Sequence, residues 1–366
     1  MSFNDPLLRK TAGEFAPYKP GTSVGQARLR YGLDRFVKLS QNENPLGTSP
    51  RAIAAIAAIT TYSDYCEDDH LAVRLRLAEP YGFGPERVIL GHGSNELMAI
   101  AFTAFADPGD EVVMAVPTFT LYRKDADIVG ARSIEVRLRD GVHDLDAMLA
   151  AVTPKTKLVF VCDPNNPTGT RVDRQAFARF AQALPAHVLL VADQAYCEFM
   201  DREGTDAISL MEHHARTLVL RTASKIYGLA AVRFGYGYSC AEIIAWMNRV
   251  RLPFNAARPA AVAVTAAMDD REFIERSIEN NAIGKAYLFG EFKRLGLHAY
   301  PSEANFIAAA VPTRADAAYE ALLAKGIIVR SGDGLNMPGR LRISIGLPEE
   351  NRAFIAALES LLDSWR

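Results

Sequence analysis

The sequence predicts an α/β protein: a three-layer α/β/α large domain around a mostly parallel seven-stranded sheet, joined to a smaller α+β domain. Three observations carry this. Seven short β-rich runs alternate with helical patterns between residues 87 and 238, and such alternation implies crossover connections in a parallel sheet. Several runs, among them residues 158–162 and 188–192, are continuously apolar, as expected of strands covered on both faces. After about residue 250 the alternation gives way to a long helical stretch followed by short strands.

In chain order, residues 1–40 hold Pro17, Pro20, Gly21 and Gly25 and read as an arm that also supplies part of the small domain. Residues 41–255 read as the large domain and 256–366 as the C-terminal small domain. The first helix is expected at 50–59, where apolar side chains recur at three-residue spacing. Strands are expected at 87–90, 111–116, 133–136, 157–162, 187–192, 217–221 and 234–238. Helices at 94–105, 119–130, 145–150 and 174–184 lie between them. A helical region from 256 to about 295 precedes strands at 304–309, 327–329 and 340–345, with helices at 314–325 and 349–364.

The 366 residues carry 41 Lys and Arg against 43 Asp and Glu, a net charge of −2. Without a basic stripe, a nucleic-acid partner held by phosphate contacts is not expected, nor is an anionic membrane surface. No apolar run approaches the ~18 residues of a membrane span, and residues 1–10 lack the apolar stretch of a signal peptide. Cys66, Cys162, Cys197 and Cys240 are far apart and form no C-x-x-C pair, which fits unpaired thiols in a reducing compartment. A cytoplasmic protein without a metal site is expected.

Ligands of open parallel sheets bind beyond the carboxyl ends of the strands. After the run at 87–90 comes Gly91-His92-Gly93-Ser94-Asn95-Glu96, leading into a helix. The glycines would let the backbone approach a phosphate at the helix N-terminus; a tight capped turn is the plain alternative. Glu96 stands where a dinucleotide-binding loop needs a small residue, which disfavours a dehydrogenase. After 157–162 comes Asp163-Pro164-Asn165-Asn166-Pro167-Thr168-Gly169. Asn-Pro pairs favour turns, yet two consecutive Asn there are a costly choice unless their amides are used. Asp193 ends the next strand, and a buried carboxylate must be paired or solvated: it either caps a helix or meets a cationic ring nitrogen. Thr222, Ser224, Lys225 and Arg233 follow the strand at 217–221. Lys225, read alone, is a surface lysine. Beside a phosphate cradle of hydroxyls and Arg233, it can be an amine nucleophile. Taken together, the strand ends call for a phosphorylated cofactor with an aldehyde for the lysine and a basic ring nitrogen for Asp193. Pyridoxal 5'-phosphate meets both requirements.

At this point the sequence strongly resembles the fold-type I pyridoxal-phosphate aminotransferases, and most closely the histidinol-phosphate aminotransferase family. The resemblance runs nearly end to end, through PYKPG at 17–21, LSQNENPLG at 39–47, GHGSNEL at 91–97, PTF at 117–119 and PNNPTG at 164–169. It continues through DQAYCEF at 193–199, SKIYGLAAVRFGY at 224–236, ANF at 304–306, GIIVR at 326–330 and LRISIG at 341–346. It implies Lys225 as the Schiff-base lysine and proton carrier, and Asp193 as partner of the pyridinium nitrogen. Asn166 and Tyr196 would bond the ring's phenolic oxygen and Phe119 would stack on the ring. Ser94, Asn95, Thr222, Ser224 and Arg233 would hold the phosphate. Tyr65 aligns with a tyrosine that reaches the neighbouring subunit's cofactor, which implies a homodimer. Arg342 would bind the substrate's anionic group with help from Arg330, and Tyr18 and Asn44 complete the implied substrate contacts.

The sequence departs from that pattern in four places. Gln194 stands where Glu usually follows the Asp, and Ala231-Val232 where Gly-Leu precedes Arg233. Cys66 replaces the Pro common after the tyrosine, and Phe119 replaces a Tyr. The implied reaction takes the amino group of histidinol phosphate to 2-oxoglutarate, giving imidazole acetol phosphate and glutamate in histidine biosynthesis. The alternatives on the same scaffold are an aromatic-amino-acid aminotransferase and a decarboxylase of a phosphorylated amino acid. A non-catalytic cofactor-binding module is the alternative of a different class.

Overall fold

The computed structural model describes residues 7, 21–66, 69–200 and 206–365. Its strands in chain order are β1 (Val37–Lys38), β2 (Val88–Gly91), β3 (Glu111–Val116), β4 (Arg132–Arg137), β5 (Thr156–Cys162) and β6 (Leu189–Asp193), then β7 (Thr217–Thr222), β8 (Gly235–Tyr238), β9 (Phe306–Ala310), β10 (Ile327–Ile328), β11 (Arg330–Ser331) and β12 (Arg340–Ser344). Seven form one sheet in the order β2-β8-β7-β6-β5-β3-β4. β7, β6, β5, β3 and β4 pair parallel, while β8 runs antiparallel between β2 and β7. These are the seven strands read from the sequence, with ends displaced by two residues at most.

Side chains along the central strands alternate between two cores, one on each face of the sheet. Val113, Val159, Val161, Leu190 and Val219 enter the first, and Met114, Leu158, Phe160, Val191 and Leu220 the second. Burial on both faces is why these runs are apolar without interruption. The edge strand β4 instead exposes Arg132, Glu135 and Arg137, charges that discourage pairing with another chain.

Several elements differ from the sequence reading, the unforeseen helices Leu71–Ala78 and Ala241–Asn248 and the short strand β1 among them. A helix at Val24–Tyr31 lies within the expected arm, closed by a reciprocal Ser23–Gln26 capping box and by Gly32 in the left-handed conformation. It buries little beyond Ala27, so it carries no apolar periodicity to read. The expected helical region from 256 divides into Arg258–Met268 and Arg271–Arg294, because the Asp270 carboxylate accepts the Phe273 N–H and caps a second helix. The first of these packs on the helix Pro50–Ala57 and enters the first core through Ala260, Ala263, Val264 and Ala267. Finally, the strand expected at 327–329 is only Ile327–Ile328, and a separate strand in a second small sheet begins just beyond it at Arg330. β10 pairs parallel with β1, Val37 opposite Ile327, and β11 pairs antiparallel with β12, Arg330 opposite Arg342. Residues near both ends of the chain thus share a third core around Leu39, Phe292 and Phe354.

His143 lies behind β5, buried, with Nε2 accepting the Cys162 N–H at 3.3 Å. Burial pushes its pKa down from 6.5 to about 4, so the unfolded chain binds this proton more readily. Its contribution to stability is complete above pH 6.5 and lost as pH falls toward 4, about 3 kcal/mol in all. Buried Asp163 works the other way: burial raises its pKa from 3.8 to about 6, so protonation in the same acid window favours the fold. The difference in unfolding free energy between wild type and His143→Gln isolates the histidine. That wild-type advantage should shrink by about 3 kcal/mol between pH 7 and pH 4 in urea titrations, and a difference constant with pH would refute this assignment.

Candidate active site

A cavity of about 280 Å³ opens at the carboxyl ends of β5, β6 and β7. Of the residues singled out from the sequence, it brings together Ser94, Asn95, Phe119, Asn166, Asp193, Tyr196, Thr222, Ser224, Lys225, Arg233, Arg330 and Arg342. Those of the large sheet converge from the carboxyl ends of its strands and from the loops and helix start that follow them, which is where an open parallel sheet places a ligand.

Asp193 is the last residue of β6 and is buried. Burial raises its carboxyl pKa, and the hydrogen bond from the Tyr122 hydroxyl to Oδ2, at 2.5 Å, works against that rise. Ala195 N–H donates to the other oxygen at 3.2 Å. Tyr122 is wholly buried on the helix Leu121–Val129, edge-to-face with Phe119 at 5.6 Å. The sequence reading missed it, although it lies one helical turn beyond Phe119.

The two asparagines after β5 divide their work. Asn165 braces the loop: Nδ2 donates to Pro117 O and Thr168 Oγ1, and Oδ1 accepts from Thr118 Oγ1. Asn166 faces the cavity, where Nδ2 donates to the Tyr196 hydroxyl at 3.3 Å and Oδ1 accepts from Arg342 Nη1 at 2.7 Å. Asn42 Nδ2 also donates to the Tyr196 hydroxyl, at 3.0 Å.

The glycines near the helix Ser94–Phe105 make room for close protein neighbours. A Cβ on Gly93 would fall 2.3 Å from Arg233 Nη2, one on Gly91 2.8 Å from Leu97 Cγ, and one on Gly235 2.2 Å from Ser94 N. Glu96, which argued against a dinucleotide loop, accepts His92 N–H at 2.6 Å and Asn255 Nδ2 at 2.7 Å. Opposite the helix start, Thr222 Oγ1 donates to Ser224 Oγ at 3.0 Å, and Arg233 Nη1 donates to the same hydroxyl at 3.3 Å. Hydroxyls, a guanidinium and a helix N-terminus make a cup for a phosphate.

Lys225 Nζ lies 3.2 Å from Gln41 O and 5.6 Å from the centre of the Tyr196 ring. Enclosure by the cavity walls, with Arg342 and Arg233 nearby, lowers its pKa from 10.5 to about 7, against the opposing pull of Glu43. Near neutral pH about half of the amines are therefore uncharged, the nucleophilic form. Arg342 is buried and donates to Ser40 O at 2.8 Å. Arg330 faces it across the β11–β12 pair. Like charges directly opposite repel, and an anion between them relieves that repulsion.

Two implied residues, Asn44 and Tyr65, fall elsewhere. Asn44 does not line the cavity: Nδ2 donates to Ile226 O and Ser277 Oγ, and Oδ1 accepts Leu46 N–H. Its neighbours Asn42 and Glu43 occupy the wall instead. Tyr65 is exposed and stacks on Phe254 at 4.9 Å, away from this chain's own cavity. Tyr18 lies outside the described residues.

A parallel sheet whose strand ends set a near-neutral lysine, a buried carboxylate and an anion cup around one cavity is an aminotransferase scaffold. Residues 34–358 match the model of the aminotransferase class I and II family, and the chain belongs to it. Histidinol-phosphate aminotransferase 2 of Ralstonia nicotianae is 44% identical over 354 residues, 95% of each chain. Histidinol-phosphate aminotransferase of Moorella thermoacetica is 40% identical over 360 residues, 98% of this chain and 93% of that protein. The crystal structure of histidinol-phosphate aminotransferase from Sinorhizobium meliloti in complex with pyridoxal-5'-phosphate matches with a TM-score of 0.87 at 27% identity, covering 96% of this chain and 98% of that one.

Proposed function

We propose that the chain is a histidinol-phosphate aminotransferase that works with pyridoxal 5'-phosphate and passes the amino group of histidinol phosphate to 2-oxoglutarate. The observation that carries this is one cavity holding Lys225 near neutrality, the Asp193 carboxylate and the facing pair Arg330 and Arg342. The residues fit the cofactor. Ser40 Oγ, a buried polar atom on the cavity wall, has no hydrogen-bond partner among the described residues. The cup built by Ser94, Asn95, Thr222, Ser224 and Arg233 suits a phosphate, and Asp193 suits a protonated ring nitrogen.

When bound, pyridoxal phosphate supplies an aldehyde that takes up amino groups and a ring that accepts electrons. Lys225 would bond the aldehyde in the resting enzyme and, once freed by substrate, carry a proton between neighbouring carbons. Asp193 would hold the proton on the ring nitrogen. Asn166 and Tyr196 would donate to the phenolic oxygen, and Phe119 would cover one ring face. Arg342 and Arg330 would grip the donor's phosphate and then the acceptor's carboxylate, because a guanidinium fork matches either group.

A homodimer in the cytoplasm completes this reading. Tyr65 and Phe254 form an exposed aromatic stack, and Leu71, Leu75 and Leu252 are also exposed, apolar surface of the kind that subunits cover. Light scattering should give twice the mass of one chain. No helix among the described residues is long and apolar enough to cross a membrane.

Initial rates with 2-oxoglutarate as acceptor test the substrate. Histidinol phosphate should exceed phenylalanine in kcat/KM by about 100-fold or more, since phenylalanine leaves the arginines without a phosphate. The reverse order would make the protein an aromatic-amino-acid aminotransferase, and carbon dioxide release would make it a decarboxylase. Arg342→Lys should raise KM for donor and acceptor alike by about 10- to 100-fold, because a point charge replaces the bidentate fork. An effect on the donor alone would contradict a shared anion site.

A further inference from the structure

Asn42 has φ 54, in the left-handed region, and is buried with 1% of its surface exposed. It is held from the small sheets: Ser344 Oγ accepts its backbone N–H at 2.8 Å and donates to its Oδ1 at 3.0 Å, while Asn305 Nδ2 donates to its carbonyl at 3.1 Å. Ser344 ends β12, the strand that carries Arg342. With Oδ1 taken as the acceptor of the Ser344 hydrogen, the amide must turn its Nδ2 toward Tyr196. Asn166 is fixed the same way, since Arg342 occupies its Oδ1.

The Tyr196 oxygen therefore receives two N–H donors, from Asn42 at 3.0 Å and from Asn166 at 3.3 Å. A phenolic oxygen that accepts from two sides keeps its own hydrogen for a third direction. Among the described residues no acceptor of that hydrogen is found, and Tyr196 lines the cavity. We infer that Asn42 is a positioning residue, which by donating to Tyr196 directs the tyrosine's hydrogen into the cavity, toward the phenolic oxygen of the bound cofactor. The inference rests on the cofactor reading above. It adds a dependence on the small sheets, because Asn42 is oriented only while Ser344 is seated against it. The other groups that act on the phenol are Arg342, Lys225, Asp193 and the Cys162 thiol, and Glu43 and Arg233 act on Lys225. None is altered in the variants below.

The test is a pH titration of the visible absorption band of the holoenzyme. A hydrogen bond donated to the phenolic oxygen favours its charged form, so losing that bond should raise the titration midpoint. Asn42→Gly tolerates the positive φ but lacks the amide, and its midpoint should rise by about one pH unit. Asn42→Asp turns the donor into an acceptor that draws the Tyr196 hydrogen away, and should raise it at least as far. Ser344→Ala keeps Asn42 but frees its amide, and should give a smaller rise in the same direction. Tyr196→Phe should raise the midpoint by itself, and Asn42→Gly added to it should change little further. A wild-type midpoint left unmoved by Asn42→Gly, or a full additional shift in the Tyr196→Phe background, would overturn the inference while leaving the cofactor reading intact. A wild-type protein with no band after incubation with pyridoxal phosphate would overturn both.

Discussion

Lys225→Ala should lower transamination by about 10⁴-fold or more, because on the proposed mechanism it would remove both the covalent anchor and the proton carrier. Steady-state rates with histidinol phosphate and 2-oxoglutarate check this, and near-normal turnover would refute the role of Lys225. The variant should keep its fold, since the lysine contributes one 3.2 Å contact to Gln41 O and no ion pair among the described residues. In the wild type, the pKa of about 7 makes a companion expectation. Only the neutral amine attacks an aldehyde, so the rate at which cofactor-free protein captures pyridoxal phosphate should climb with pH through about 7 and level off above it. A capture rate still rising steeply at pH 9 would place the amine back in the ordinary lysine range.

Asp193→Asn should cost about 10²- to 10⁴-fold in kcat. The buried carboxylate lies in surroundings that disfavour its charge, and the protonated ring nitrogen of the proposed cofactor would restore the balance. Breaking such a buried pair costs about 3–5 kcal/mol, which is that range of rates. Asparagine keeps the size and can still meet the Tyr122 hydroxyl, so the expected loss lies in turnover rather than in folding. Equal turnover of the two proteins, with equal cofactor content, would remove Asp193 from the chemistry.

What could be read in advance divides along physical lines. The central strands were legible because burial on both faces leaves unbroken apolar runs, as at Leu158, Val159, Phe160 and Val161. Lys225, Asp193 and Asn166 stood out because they lie at or just beyond the ends of such runs, and the structure brings all three to one cavity. The helix at Val24–Tyr31 was not, since a surface helix held by a capping box has no buried stripe. The break at Asp270 needed cap geometry that a run of helix formers conceals. Asn42 and Tyr122 escaped notice because their contacts are made by distant chain, with Asn42 and Tyr196 154 positions apart and Tyr122 and Asp193 71 apart in sequence. Asn44 was expected at the substrate, but Asn42 and Glu43 of the same motif line the cavity instead. Its amide is spent on Ile226 and Ser277, while the preceding residues turn inward on the positive φ of Asn42.

The bond between Asn42 and Ser344 spans 302 positions, and this bears on the order in which the protein can come into being. The seven-stranded sheet is complete once Tyr238 is made, yet β1 must wait for β10, and Asn42 for Ser344. At about 5–20 residues per second on the ribosome, the first part of the cavity wall is synthesised some 15–60 s before its counterpart. A nascent chain halted near residue 300 would therefore carry Lys225 and Asp193 on a finished sheet while lacking Arg330, Arg342 and the contact that orients Tyr196. Affinity for the cofactor can precede competence for the substrate, and the second arrives only with the last tenth of the chain.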